Sequence, residues 1–152
     1  MQPLYPEVFE LLESLNSSRL SIIETGYAYT RTIAQWVQRN PESVFTCVDL
    51  NFGLLLGIHQ ALERDRTAQY CTILAQEHTK WLNKCTWLDA AFLNPDDLKS
   101  GVEEFNLAVS AGAQLIVLSD YQTRAAFAIK RAKEIGWQYE SAGPLNILRR
   151  PK

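Results

Sequence analysis

The strongest constraint on this chain is a rhythm in which short apolar runs alternate with longer amphipathic segments. The runs at 20–24 (LSIIE), 44–48 (VFTCV), 70–74 (YCTIL) and 114–119 (QLIVLS) have strand length and little polarity. Such runs read as strands buried on both faces, the habit of parallel sheets. A further strand is expected at 86–88, ending at Asp89. Between the runs, residues 29–39, 52–65, 95–110 and 121–135 read as covering helices. In the second of these, Leu54, Leu55, Ile58 and Leu62 form a stripe at helical spacing. A helical turn is expected at 79–83.

Punctuation supports these boundaries. Pro41 disfavours helix at Asn40 and ends the first of the four. Asn94 reads as an N-cap, with Asp96 and Asp97 in the first turn behind it. Gly136 suits a helix end. A leading helix over 6–15 starts at Pro6, a favoured first-turn residue. The rhythm changes at the end, where 137–141 and 145–149 flank Ala142-Gly143-Pro144 as two strands joined by a turn. Strand and helix therefore alternate five times before a strand pair. This is an α/β pattern, an open parallel sheet with helices on both faces and right-handed crossovers. The 152 residues fit one domain, read as a helical segment over 1–19 followed by an α/β domain over 20–152.

Charge and cysteine content narrow the function classes. The net charge is −2 and no basic stripe stands out, which argues against a nucleic-acid partner. No apolar run reaches the roughly 18 residues of a membrane span, so no membrane partner is expected. Cys47, Cys71 and Cys85 form no C-x-x-C pair, which argues against zinc. Three cysteines, behind a start with no basic leader, suit free thiols in a reducing, cytoplasmic setting.

In an open α/β sheet, ligands bind beyond the carboxyl ends of the strands. The turns to inspect are 24–30, 49–51, 76–78, 89–92 and 119–122. In the first, Gly26 permits a tight turn, Ala28 keeps the loop thin, and the following helix offers its positive end. Asp49 follows Gly26 by roughly the 20 residues that separate a phosphate or nucleoside turn from its ribose-binding acid. An ordinary turn and an ordinary helix cap are the bland readings of these two residues. In their shared strand–loop–helix context, they favour a nucleoside-containing ligand.

With these residues in place, the chain resembles the Rossmann-like (class I) S-adenosylmethionine (SAM)-dependent methyltransferases over about 20–149. Glu24-Thr25-Gly26-Tyr27-Ala28-Tyr29-Thr30 resembles the family's acidic-x-Gly-x-Gly-x-Gly cofactor loop, with Ala28 and Thr30 in place of two glycines. Val48-Asp49-Leu50 resembles the second-strand acid that holds ribose. Gln76-Glu77-His78 stands where the family contacts adenine. Trp87-Leu88-Asp89-Ala90-Ala91 resembles the fourth-strand motif facing the methyl group. Residues 111–121 resemble the fifth-strand motif of small O-methyltransferase-like members.

The resemblance implies a three-layer sandwich on a mostly parallel seven-stranded sheet. Its order would be 3-2-1-4-5-7-6, with a C-terminal antiparallel hairpin. It implies SAM as cofactor and SN2 methyl transfer to a small-molecule acceptor. Cofactor contacts fall on Glu24, Thr25, Gly26, Tyr27, Ala28, Thr30, Asp49, Leu50, Gln76, Glu77 and Asp89. Asp89, Asp120 and His78 are the catalytic candidates, the last as a general base. Some relatives add a divalent cation, for which Asp89 and Asp120 would need an amide from Gln122 or Asn94; aspartates that merely cap loops are preferred. Trp81 and Tyr121 lie near the expected pocket, and packing is their favoured role. With little chain to enclose an acceptor, a second subunit completing an open pocket is an expectation. The competing reading keeps the fold without catalysis, as a nucleoside-binding or interaction module. An NAD oxidoreductase lacks its G-x-G-x-x-G here, and no P-loop occurs.

Overall fold

Side chains of the central strands are buried alternately on the two faces of the sheet, which divides the core into two layers. In the computed structural model, which describes residues 3–119 and 122–152, the strand β5 (Leu115–Ser119) shows this most clearly. Leu115 and Val117 join one apolar cluster, whereas Ile116 and Leu118 join the other. Successive strand side chains point to opposite faces, so a strand that is apolar throughout must be covered twice. The first cluster lies under α1 (Pro6–Glu13), α2 (Thr30–Arg39) and α3 (Phe52–Asp65). The second lies under α4 (His78–Lys84), α5 (Leu98–Ser110) and α6 (Gln122–Glu134).

The remaining strands are β1 (Ser21–Thr25), β2 (Val44–Asp49), β3 (Thr72–Ala75), β4 (Ala90–Leu93), β6 (Gln138–Ala142) and β7 (Leu145–Arg149). They form one sheet in the order β3-β2-β1-β4-β5-β7-β6. Neighbours from β3 to β5 pair in parallel. β7 pairs antiparallel with both β5 and β6. The α/β class, the strand order and the closing hairpin are those the resemblance implies. Strand order reverses between β1 and β4, which opens a crevice at the carboxyl ends there.

The leading helix belongs to this packing. Val8, Leu11 and Leu12 are buried in the first cluster, and the Glu13 carboxylate accepts a 2.9 Å hydrogen bond from the Trp36 indole N–H. Helix α3 leaves Phe52, Leu54 and Leu56 exposed. Among the described residues, no helix is long and apolar enough to cross a membrane.

Two boundaries differ from the sequence reading in ways that matter for the site. The fourth strand is 90–93, not 86–88. Ala90 to Leu93 are all buried and pair with β1 and β5, whereas Thr86 and Trp87 are exposed. Asp89 therefore precedes its strand and sits at the amino edge of the sheet, where its Oδ2 accepts from the Ser21 backbone N–H at 2.8 Å. The helix expected from 95 begins at Leu98, capped by Asp97, whose Oδ1 accepts from the Ser100 N–H. Asn94 cannot cap it, because its side-chain oxygen accepts from the Ser119 hydroxyl and its own N–H is held by Thr25.

Candidate functional site

The turn after β1 is built on one glycine. Gly26 has φ +88°, in the left-handed region that L side chains avoid. A Cβ added there would also lie 3.0 Å from Asn94. Its N–H donates to the Val48 carbonyl at 3.0 Å, which ties the turn to β2. Tyr27 is half-buried, Ala28 is exposed, and Tyr29 packs edge-on against Tyr5 with ring centres 5.0 Å apart.

Glu24 turns beneath the start of α2. Its carboxylate accepts from the Tyr29 backbone N–H at 2.6 Å and from the Thr30 hydroxyl. The Thr30 side chain is therefore directed inward and is fully buried. Burial dominates the electrostatics and pushes the Glu24 carboxyl up to about 8, against the pull of its two donors. Burial, followed by the neighbouring Glu24 charge, likewise pushes the Cys47 thiol up. Thr25 is also engaged inside the protein: its hydroxyl donates to Glu104 Oε1 at 2.8 Å and accepts from the Asn94 N–H at 3.0 Å.

Asp49 ends β2 and faces open space. A cavity of about 260 Å³ is lined by Asp49, Leu50, Glu77, His78, Asp96 and Glu104, among others. A second, of about 470 Å³, shares Asp49, Leu50, His78 and Asp96 and adds Tyr27, Asn94 and Arg124. The shared residues make these two lobes of one crevice beyond the carboxyl ends of β1, β2 and β4. Asp49 Oδ1 accepts from the Leu50 N–H at 2.7 Å. Leu50 itself is 63% exposed, leaving an apolar surface beside the carboxylate.

His78 stands between two carboxylates. Its Nε2 lies 3.6 Å from Asp49 Oδ1, and its Nδ1 lies 3.4 Å from Glu104 Oε2. Burial of the ring works against the charged form. The hydrogen bond and charge of Glu104, with the charges of Asp49 and Asp96, outweigh it and hold His78 above its ordinary value. Glu104, only 1% exposed, closes the floor of the site and links His78 to Thr25.

The crevice thus gathers Tyr27, Asp49, Leu50, Glu77 and His78 from the expected set. Gln76 ties β3 to β2 by donating its backbone N–H to the Asp49 carbonyl at 3.0 Å. Glu24, Thr25 and Thr30 brace the loop from within. Asp89 lies at the opposite edge of the sheet and does not line the crevice, because its strand starts after it. Asp120 and Tyr121 lie outside the described residues. Trp81 packs with the second core cluster. The other histidine, His59, pairs with Glu63 at 2.6 Å on the face of α3. Among the described residues, no group of three or more His, Cys, Asp or Glu is arranged to hold a metal ion.

Sequence reasoning missed Glu104 and the cavity role of Asp96. Glu104 did carry a signal. Gly101, Glu104, Phe105 and Ala108 are the buried residues of α5, an i, i+3, i+4, i+7 stripe with a carboxylate in it. A charge on a core stripe needs a partner, and here it has two.

No family model and no curated protein matches the sequence. Solved structures do match the fold. A protein assigned as an rRNA-methylase from Clostridium thermocellum superposes with a TM-score of 0.73 at 10% identity, covering 97% of this chain and 94% of that one. A protein assigned as a caffeoyl-CoA O-methyltransferase from Staphylococcus aureus gives 0.74 at 13% identity, covering 99% and 85%. A SAM-dependent O-methyltransferase from Thermotoga maritima gives 0.70 at 12% identity, covering 100% and 68%. The chain has the Rossmann-like methyltransferase fold.

Proposed function

We propose that this chain binds SAM in the two-lobed crevice and transfers its methyl group to a small-molecule acceptor. The observation that carries the reading is Asp49. Its carboxylate ends β2, faces both lobes, and has the exposed Leu50 side chain next to it. That pairing suits an adenosyl group, since the carboxylate can accept both ribose hydroxyl protons and the leucine can cover an apolar ring face.

The departures from the glycine-rich pattern do not obstruct this fit. Thr30 is turned inward onto Glu24, and Ala28 faces solvent. The glycine that remains, Gly26, is the one whose φ and whose distance to Asn94 demand it. The acidic lining of Asp49, Glu77 and Asp96 also suits a ligand bearing a sulfonium and an exocyclic amine.

The cofactor supplies an activated methyl group, displaced from sulfur in line by the acceptor. The protein's part is to hold and orient. Asp49 would hold the ribose, Glu77 would face the adenine edge, and Tyr27 would wall the lobe toward the reacting end. The fold relatives named as methyltransferases agree with this reading.

Isothermal titration of the protein with SAM and with S-adenosylhomocysteine tests it. Both should bind, and Asp49→Ala should weaken both by about tenfold or more, the scale of a charge-assisted hydrogen bond lost. Absence of binding by the folded wild type, or equal binding by the variant, would refute it.

A further inference from the structure

His78 presents both ring nitrogens to carboxylates, Asp49 on one side and Glu104 on the other. A general base must offer a lone pair to the acceptor. This ring instead sits in a carboxylate clamp, with its side chain only 11% exposed. The clamp joins three elements. Glu104 comes from α5, Asp49 from β2, and His78 opens α4. Thr25 at the end of β1 fixes Glu104 from behind at 2.8 Å. The arrangement therefore runs from a hydroxyl on β1, through a buried carboxylate and an imidazole, to the Asp49 carboxylate that lines the crevice.

We propose that His78, seated on Glu104, is a positioning residue that in its cationic form holds the Asp49 carboxylate for the ribose, so that nucleoside affinity falls as this histidine loses its proton. The proposal rests on the nucleoside reading above and deepens it. Asp49 Oδ1 accepts from the Leu50 N–H at 2.7 Å and lies at ion-pair distance, 3.6 Å, from His78 Nε2. Both contacts fall on Oδ1 and leave Oδ2 to accept from the ribose. Once the imidazole is neutral it has one N–H to share between Glu104 and Asp49 and no charge to attract either, so its hold on Asp49 weakens.

The charged groups acting on His78 are Glu104 from α5, Asp49 from β2 and Asp96 from the β4–α5 connection, and Glu77 at its own helix start lines the same cavity. Arg124 from α6 lines the wider lobe. Glu24 titrates nearby under α2, buried beneath its own loop, and must be separated experimentally.

The test measures the affinity for adenosine, which carries no group titrating in the range, by isothermal titration from about pH 6 to pH 9. In parallel, imidazole NMR follows His78 in the ligand-free protein, with His59 as the internal reference. The wild type should lose affinity about fivefold across the His78 titration, the scale of one partly screened charge pair. His78→Gln should bind more weakly at low pH and show a flat profile. Glu104→Gln, which keeps an acceptor for Thr25, should shift both the NMR midpoint and the affinity midpoint to lower pH.

A flat wild-type profile with binding intact overturns the positioning role and leaves the nucleoside reading standing. A pH-dependent profile that survives in His78→Gln assigns the effect to Glu24 and likewise overturns it. An NMR midpoint unmoved by Glu104→Gln overturns the clamp. No binding of adenosine, SAM or S-adenosylhomocysteine at any pH defeats both readings together.

Discussion

Replacing Glu24 by glutamine should remove a pH dependence of stability that the wild type carries on one side chain. The folded carboxyl sits at about 8 against an ordinary value of 4.5, chiefly because it is fully buried. Between these values the unfolded chain has released this proton and the folded chain keeps it. The folded state then binds more protons, so stability falls as pH rises. Each unit of pH costs up to about 1.4 kcal/mol. From pH 5 to pH 6.5, where the unfolded carboxyl is already mostly ionised, the wild type should lose about 2 kcal/mol. Glu24 dominates this window. The raised His78 contributes stability that is lost mainly above its ordinary 6.5, and the lowered Asp65 and Asp97 act mainly below their ordinary 3.8.

Glutamine can still accept from the Tyr29 N–H, and Thr30 can rotate to accept from its amide. Urea unfolding at several pH values between 5 and 6.5 reads the slope directly. The variant should be nearly flat there and should gain on the wild type with each step upward. Parallel slopes for the two proteins, or a wild type that gains stability with pH in this window, would refute the reasoning.

Other positions give independent checks. Gly26→Ala forces a side chain into left-handed backbone against Asn94 and should cost about 1–3 kcal/mol by urea unfolding. Phe105→Ala empties a fully buried site facing Trp137 at 5.4 Å and should cost about 3–5 kcal/mol, read as a large fall in Tm. Asp89→Ala should lose about 1–3 kcal/mol of stability by leaving the Ser21 N–H unpaired, with S-adenosylhomocysteine affinity unchanged.

Much of the sheet was legible because its strands declare themselves by period. β5 is apolar at consecutive positions, a pattern only a doubly covered strand sustains, and Gln114–Ser119 was read within a residue of its place. β4 misled for a physical reason. Ala90 and Ala91 have weak strand propensity, whereas Thr86, Trp87 and Leu88 look more strand-like; pairing with β1 and β5 decided the matter. That shift carried Asp89 from the carboxyl edge to the amino edge.

Asp49 was legible because strand, acid and helix start stand in one short stretch. Glu24 was found as a residue, but not its direction, since nothing local says that a carboxylate will fold back onto its own loop. Glu104 was hidden differently. Its partners Thr25 and His78 are distant in sequence, and only the closed fold brings them together. Charges on a core stripe are the sequence trace of such long-range pairing.

A crystal structure of the protein with S-adenosylhomocysteine is the most direct measurement. The ribose hydroxyls should lie on the Asp49 carboxylate, with adenine against Leu50 and the amino-acid end toward Tyr27. Density for the nucleoside elsewhere on the protein, or Asp49 pointing away from a bound ribose, would contradict the account.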